Sequence, residues 1–177
     1  MPASTPWKRI VPAFAASLLL AAGSAQAAID AFLKIDGIKG ESTDARHKDE
    51  IDVLSWSWGV SPKEEGKTGK RGCVQDLAIT KYVDRATPAL FAAAAMGTQV
   101  ASAVLTVRKA GEGPQEFLTL TLNQVYVTSV QQSGAGGAGQ LFEQATLRAS
   151  TIVVSYRPQN PDGSLGAPVT TSVSGSC

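Results

Sequence analysis

Few residues of this chain have the types and the spacing that catalysis requires. His47 is the only histidine, and it lies in the charged segment of residues 44–49. A histidine can act as a general base, but a hydrolytic triad or a metal centre also needs partners, and no recognisable spacing supplies them. The pattern favours a solvated loop histidine. It predicts no enzyme, no cofactor and no metal site.

The glycine-rich segment GAGGAG, residues 134–139, is of a kind that can cradle a phosphate. A phosphate-binding loop follows a strand and opens a helix, with a lysine and a hydroxyl residue after it. Here Gln140, Leu141 and Phe142 come next and lead into an alternating run. The segment is therefore predicted to be the flexible tip of a hairpin between two long strands, with no ligand.

Residues 1–27 have the features of a cleavable secretory signal peptide. Lys8 and Arg9 precede an apolar run, and Ala25-Gln26-Ala27 matches a small-x-small cleavage pattern, so we expect cleavage between Ala27 and Ala28. The apolar run is short for a membrane span, and no other segment approaches the ~20 apolar residues that a spanning helix needs. The sequence predicts a periplasmic or secreted protein without membrane insertion after cleavage.

The charge of the mature chain argues against nucleic acid as a partner. Removal of the leader lowers the Lys and Arg count from 16 to 14 against 15 Asp and Glu, so the formal charge moves from +1 to −1. Such a chain has no basic field for nucleic acid. Residues 28–177 have the length of one domain, and a polar C-terminal tail begins at about residue 164.

Cys73 and Cys177 are the only cysteines, and export would bring them to a compartment where disulfides persist. We expect a bridge within one chain, which would pin the C-terminal tail. A bond between two subunits and a pair of free thiols are the alternatives.

The elements that would position these residues are mostly strands. The segment AIDAFLKIDGIKGES alternates, with Ile29, Ala31, Leu33 and Ile35 on one face. DEIDVLSWSWGVS, residues 49–61, predicts a second strand with Leu54, Trp56, Trp58 and Val60 on one face. Trp56 and Trp58 could form a platform for a sugar or a base, but large aromatics on a strand are more often buried in a core or an interface. We therefore predict a structural role for both.

The remaining segments predict further strands and one helix. An exposed loop, SPKEEGKTGKRG, leads to a third strand in CVQDLAITKYV. A helix is predicted from a Thr87 cap and Pro88 to a stop at Gly97. Three long strands then follow, ASAVLTVRKA, QEFLTLTLNQVYVTSVQ with one register break, and QATLRASTIVVSYRP; a turn at GEGP joins the first two.

Several of these segments together closely resemble the Hcp (haemolysin-coregulated protein) family, whose members form the inner tube of the type VI secretion system. The resemblance runs from about residue 28 to 163, and its most specific motifs are EIDVLSWSWG and T-K-Y-V-D-x-x-T-P. It implies a mainly β fold: a small β-barrel of two packed antiparallel sheets with one α-helix. It also implies a homohexameric ring, stacked copies that make a hollow tube, and contacts with a sheath, a spike protein and secreted effectors.

The leader is a departure from the family pattern. Hcp proteins are normally loaded from the cytoplasm and carry no cleavable leader, whereas this chain has the features of an exported protein. The expected function is therefore a ring-forming or tube-forming subunit that carries effectors. The alternative is an exported Hcp-like structural or ligand-binding module that acts in the periplasm or outside the cell without the contractile machine.

Overall fold

The computed structural model describes residues 28–62, 72–110, 115–137 and 139–174. This part of the chain contains ten strands and one helix: β1 (Ile29–Ile35), β2 (Ile51–Val53), β3 (Ser55–Ser57), β4 (Val60–Pro62), β5 (Gly72–Val74), β6 (Leu77–Tyr82), α1 (Thr87–Met96), β7 (Gln99–Lys109), β8 (Gln115–Ser133), β9 (Phe142–Tyr156) and β10 (Val169–Ser174). Within the same ranges, no helix has the length and apolarity needed to cross a membrane. The predicted mainly β class with one helix is confirmed for the described residues.

Eight of the strands form one antiparallel sheet in the order β2-β1-β7-β8-β9-β6-β3, with β10 paired to β9. One edge of β9 pairs with β8 along its full length. Its other edge is shared, because β6 pairs with residues 142–147 and β10 with residues 151–156. β4 and β5 form a separate two-stranded sheet. The β9 strand thus connects three neighbours into one wall.

The two ends of the large sheet meet at the tryptophan segment, which nearly closes a barrel. β2 pairs with β1 at one end of the sheet and β3 pairs with β6 at the other, yet only Leu54 separates β2 from β3 in the chain. The Leu54 N–H donates to the Thr80 carbonyl at 2.8 Å. The prediction of one continuous strand here is wrong, because the chain changes pairing partner at Leu54, which is exposed.

The core lies inside this curved sheet and is made of alternate residues of its strands. On β8 the alternation changes phase at Gln124, which has a φ of 52°: Leu120 and Leu122 are buried before it, and Val125 and Val127 after it. The predicted register break therefore lies at this residue. The hairpin that joins β8 to β9 through the glycine-rich segment also forms as predicted.

The helix covers part of the core through Leu90 and Ala93 and contacts β8. It ends as predicted, because Gly97 adopts a φ of 61° and its N–H donates to the Ala93 carbonyl. Its start differs by one residue: the N-cap is Ala86, not Thr87. The Thr87 hydroxyl instead accepts the N–H of Asp84 at 3.1 Å, so it fixes the turn before the helix.

The predicted third strand is two strands, β5 and β6, because the chain leaves one sheet for the other at Gln75. The Gln75 N–H donates to the Gly59 carbonyl at 2.9 Å, beyond the last pair of the small sheet. Four predictions lie outside the described residues: the leader, most of the charged loop, the GEGP turn and Cys177.

Candidate assembly surfaces and buried polar centres

Trp56 and Trp58 lie at the seam where the barrel closes. Trp56 is on β3 opposite Ile79 of β6, and Trp58 follows the end of that strand. Both indoles are half-buried and pack against the hydrophobic core. The two indoles therefore pack the seam against the core, and neither ring is fully exposed to a ligand.

A buried lysine lies beneath the start of the helix. Lys81 and Glu143 face each other across β6 and β9, and both side chains have 0% exposure. The Lys81 Nζ lies 3.2 Å from the Glu143 Oε1 and donates to the Asp84 Oδ1 at 2.6 Å. It also donates to the Tyr82 carbonyl at 2.8 Å and to the Thr87 hydroxyl at 3.3 Å. Burial of a charge is costly unless it is paired, and here carboxylates on two elements pair it.

This centre joins three elements of the fold. Asp84 Oδ1 also accepts the Ala86 N–H at 2.9 Å, and Gln132 of β8 donates to the Glu143 Oε2 at 3.1 Å. The helix start, β6 and the β8–β9 hairpin are therefore linked by one polar network. Three members of this network, Lys81, Asp84 and Thr87, lie in the one segment TKYVDRATP, so the sequence could have indicated their contact. The fourth, Glu143, lies 62 residues after Lys81 and is brought to it only by the pairing of β6 with β9.

A second polar centre lies on the outer face of the barrel wall, on β1 and β7. Phe32 and Arg108 are buried although they point away from the core, since the loop of residues 36–50 folds over them. The Arg108 Nη2 donates to the Asp44 Oδ2 at 2.6 Å and to the Asp30 Oδ2 at 3.1 Å. Its guanidinium carbon lies 4.7 Å from the centre of the Phe32 ring. These contacts dock the loop on the wall.

The electrostatics of this centre favour the ionised form of Asp44. The hydrogen bond from Arg108 and that from the Arg46 N–H lower the pKa of Asp44 from 3.8 to about 2. The carboxylate that ties the loop to Arg108 is therefore charged at neutral pH.

His47 belongs to this outer centre, and its prediction as a solvated histidine is wrong. The residue is only 6% exposed. Its ring stacks on Phe32 with centroids 4.3 Å apart and an interplanar angle of 7°. Its Nδ1 lies 2.9 Å from the Glu50 Oε2 and its Nε2 lies 3.6 Å from the Glu116 Oε1. The charged neighbours in the sequence suggested exposure, but the loop folds inward at this residue.

Neither polar centre has the composition of a metal site. Within the described ranges, no group of three or more His, Cys, Asp or Glu side chains could hold a metal ion. The two centres instead consist of ion pairs between neighbouring elements, an arrangement that fixes structure.

The predicted cysteine and cleavage residues are partly described. Cys73 lies on β5 and is half-buried, and β5 contacts β10. Ala28, the expected first mature residue, is exposed, and its carbonyl accepts the Ala110 N–H at 2.8 Å. Ala27 and Cys177 lie outside the described residues. Residues Val169–Ser174 of the predicted polar tail form β10, which pairs with β9.

Large hydrophobic side chains are exposed at several separate places on the described surface. Four of them are contiguous at one end of β6 and β9, which we call the end patch: Tyr82, Val83, Leu141 and Phe142, with exposures of 37–49%. The Tyr82 and Phe142 rings lie 5.2 Å apart. Others lie elsewhere, including Leu54, Val60, Phe91, Met96 and Val169. Contiguous apolar surface of this kind is typical of interaction sites.

Comparisons with known proteins are consistent in sequence and in fold. The family model described as type VI secretion system effector, Hcp, matches residues 32–156. Protein hcp1 of Pseudomonas aeruginosa is 46% identical over 149 residues, covering 80% of this chain and 92% of that protein. The crystal structure of Hcp1 from Salmonella typhimurium is 37% identical, with a TM-score of 0.69, covering 84% of this chain and 95% of the other. A type VI secretion system effector from Yersinia pestis is 29% identical, with a TM-score of 0.68, covering 82% and 99%.

Proposed function

Because the chain belongs to the Hcp family of type VI secretion system proteins, we propose that it is a ring-forming subunit of the inner tube of such a system. Six copies form a closed ring, rings stack into a hollow tube, and the tube carries effectors. The observation that carries this proposal is the match of the family model to most of the barrel, from β1 through β9.

The surface of the barrel supports assembly into a ring. A ring is built from head-to-tail contacts, so each subunit needs two different surfaces that complement each other. The end patch and the exposed hydrophobics elsewhere on the described surface provide apolar area in separate places. The two polar centres add rigidity, which lowers the cost of ordering when subunits associate.

Sedimentation velocity of residues 28–177 at micromolar concentration tests the ring. We expect one species with the mass of six chains, held by contacts of about the standard interface size, roughly 1,600 Å² of total buried surface each. The same experiment under reducing conditions is the control, because a hexamer that persists does not depend on bonds between cysteines. A monomer in both conditions would contradict the proposal.

The remaining functional assignments follow from the same proposal. The partners are other copies of the chain, a sheath, a spike protein and secreted effectors, and the protein supplies no catalysis. The supporting observation is that the polar centres of the described residues are occupied by ion pairs between structural elements.

We also propose that residues 1–27 direct the chain to the periplasm or to the outside of the cell. Export would keep the chain away from a cytoplasmic sheath, so finding the processed chain in the periplasm would favour the alternative, an exported module that acts without the contractile machine. N-terminal sequencing of the protein from the periplasmic fraction should begin at Ala28. If the chain in the cytoplasm is full-length and the periplasmic fraction has none, the leader proposal is wrong. If deletion of the contractile apparatus does not change the amount of the mature protein that is released from the cell, the alternative of an exported module that acts alone is favoured.

A disulfide between Cys73 and Cys177 is part of the proposal. The contact of β5 with β10 supports it, because β10 ends at Ser174, three residues before Cys177. Intact mass with and without reduction separates the three possibilities. A loss of about 2 Da in the monomer indicates the internal bridge, a reducible dimer indicates a bond between subunits, and full alkylation without reduction indicates free thiols.

A further inference from the structure

The helix α1 exposes an apolar face to solvent. Its sequence is TPALFAAAAM, and its only polar residue, Thr87, is buried at its start. Leu90 and Ala93 face the core, while the outward face consists of six exposed residues: Pro88, Ala89, Phe91, Ala92, Ala95 and Met96. Phe91 is 41% exposed and Met96 is 72% exposed. A helix that is apolar on all sides is normally buried, so another surface is expected to cover this face.

The outward face of α1 also lies in a long stretch without charge. Residues 86–107 contain no Lys, Arg, Asp or Glu. Depletion of charge, more than apolarity, distinguishes the buried centre of a protein interface from the rest of the surface. The three exposed alanines have short side chains, which allow a neighbouring surface to approach the helix backbone closely. This face therefore has the composition of an interface centre.

A second uncharged surface lies at the seam of the barrel. Residues 53–62 contain no Lys, Arg, Asp or Glu. Leu54 is 47% exposed and Val60 is 48% exposed, and the half-buried indoles of Trp56 and Trp58 lie between them in the chain. The seam thus presents apolar side chains to solvent on a segment that is anchored to the core.

The helix and the seam lie on opposite sides of the barrel. The large sheet has the order β2-β1-β7-β8-β9-β6-β3, and its two ends meet at the seam. β8 is the middle strand of these seven, with three strands on each side, and α1 contacts β8. A head-to-tail ring requires two different surfaces on each subunit, one for each neighbour. The helix and the seam have the separation that such a ring needs.

We propose that the outward face of α1 packs on the seam of a second copy of this chain, around Leu54 and Val60. This contact is the junction between subunits of the ring proposed above, and the assignment rests on that ring. A permanent partner suits the face, because apolar surface that stays uncovered favours aggregation. Another copy of the chain is always present at the same concentration, and burial of two uncharged surfaces leaves no charge without a partner.

Sedimentation velocity of lysine variants of residues 28–177 tests the junction. Phe91→Lys places a charge on the helix face and Leu54→Lys places one on the seam. Both side chains are exposed in the single chain, so the variants should keep the fold, which near-UV circular dichroism checks. At the micromolar concentration where wild type has the mass of six chains, each variant should be a monomer. Val169→Lys is the matched control: Val169 is 68% exposed on β10, belongs to neither surface, and its variant should remain a hexamer.

An equimolar mixture of the two variants tests whether the two surfaces are partners. Phe91→Lys keeps an intact seam and Leu54→Lys keeps an intact helix face, so the mixture should form a pair with the mass of two chains. The pair should not grow into a ring, because the next junction would bring two lysines together. Met96→Lys takes the place of Phe91→Lys if that variant does not fold, since Met96 is the most exposed side chain of the face.

The outcomes separate this junction from the proposed function. If wild type is a hexamer and either variant remains one, or if the mixture stays monomeric, the junction is wrong and the ring stands. Loss of the hexamer in Val169→Lys to the same extent also overturns the assignment to these two surfaces. A monomeric wild type refutes the ring itself, and the junction with it.

Discussion

Replacement of Lys81 by methionine should be the most damaging single change in the barrel that leaves side-chain volume nearly unchanged. The substitution removes a charge with 0% exposure that lies within 3.3 Å of four oxygen-bearing groups on β6, β9, the turn and the helix. It leaves the fully buried carboxylate of Glu143 with one remaining donor, the Gln132 amide. The effect should therefore exceed the loss of an ordinary hydrogen bond.

The size of the loss in the free energy of unfolding depends on what Lys81→Met does to Glu143. Breaking a buried pair by removing one partner costs about 3–5 kcal/mol, since the other charge stays buried without compensation. Replacing both partners costs much less, so Lys81→Met/Glu143→Gln should recover at least about 1.5 kcal/mol relative to the sum of the single variants. Lys39→Met is the matched control: its lysine side chain is 71% exposed and pairs with Asp49 at 3.5 Å, so the cost should stay below about 1 kcal/mol.

Equilibrium urea unfolding at one fixed protein concentration measures these free energies, because assembly would otherwise shift the apparent stability. The expected order of stability is wild type, then Lys39→Met, then the double variant, then Lys81→Met. If Lys81→Met and Lys39→Met unfold at the same urea concentration, the buried pair does not stabilise the barrel as argued.

Three further predictions concern the seam, the outer loop and the tail. Trp56→Ala should lower the free energy of unfolding by about 3 kcal/mol, the low end of the range for a buried tryptophan because the indole is half-buried; an unchanged thermal midpoint would contradict the structural role. Because the pKa of Asp44 is lowered in the folded state, ionised Asp44 stabilises the fold at neutral pH, and this stabilisation is lost as the pH falls from about 4 to about 2. The difference in urea midpoint between wild type and Asp44→Asn should therefore become smaller over that pH range. A difference that stays constant would contradict the ion pair of Asp44 with Arg108. Cys73→Ser should destabilise the oxidised mature protein by at most about 4.7 kcal/mol, the chain-entropy value for a loop of about 100 residues, and a variant as stable as wild type would contradict the bridge.

The features that the sequence predicted well are those set by neighbouring residues. Pro88 and Gly97 bound the helix because one restricts the backbone and the other permits a left-handed φ, whatever surrounds them. The phase change on β8 was visible for the same reason, since the alternation of apolar residues before and after Gln124 reports which face meets the core.

The features that it missed depend on contacts between distant residues. The charged neighbours of His47 predict exposure to solvent, but its ring stacks on Phe32 of the barrel wall and is buried there. The Arg108 contact with Asp44 spans 64 residues. The sequence around Leu54 likewise does not show that the chain stops pairing with β1 and begins to pair with β6 there, because this change occurs where the two ends of the sheet meet. Such pairings are determined by the nearly closed barrel and not by local propensity.

Electron microscopy of the mature protein, residues 28–177, with class averages viewed down the symmetry axis, shows directly whether the chain forms a tube. The proposed function predicts closed rings of six subunits around an open centre, and side views in which rings stack. Averages that show only single compact particles of one subunit, at concentrations where the protein is folded, would contradict the assignment of a tube-forming subunit.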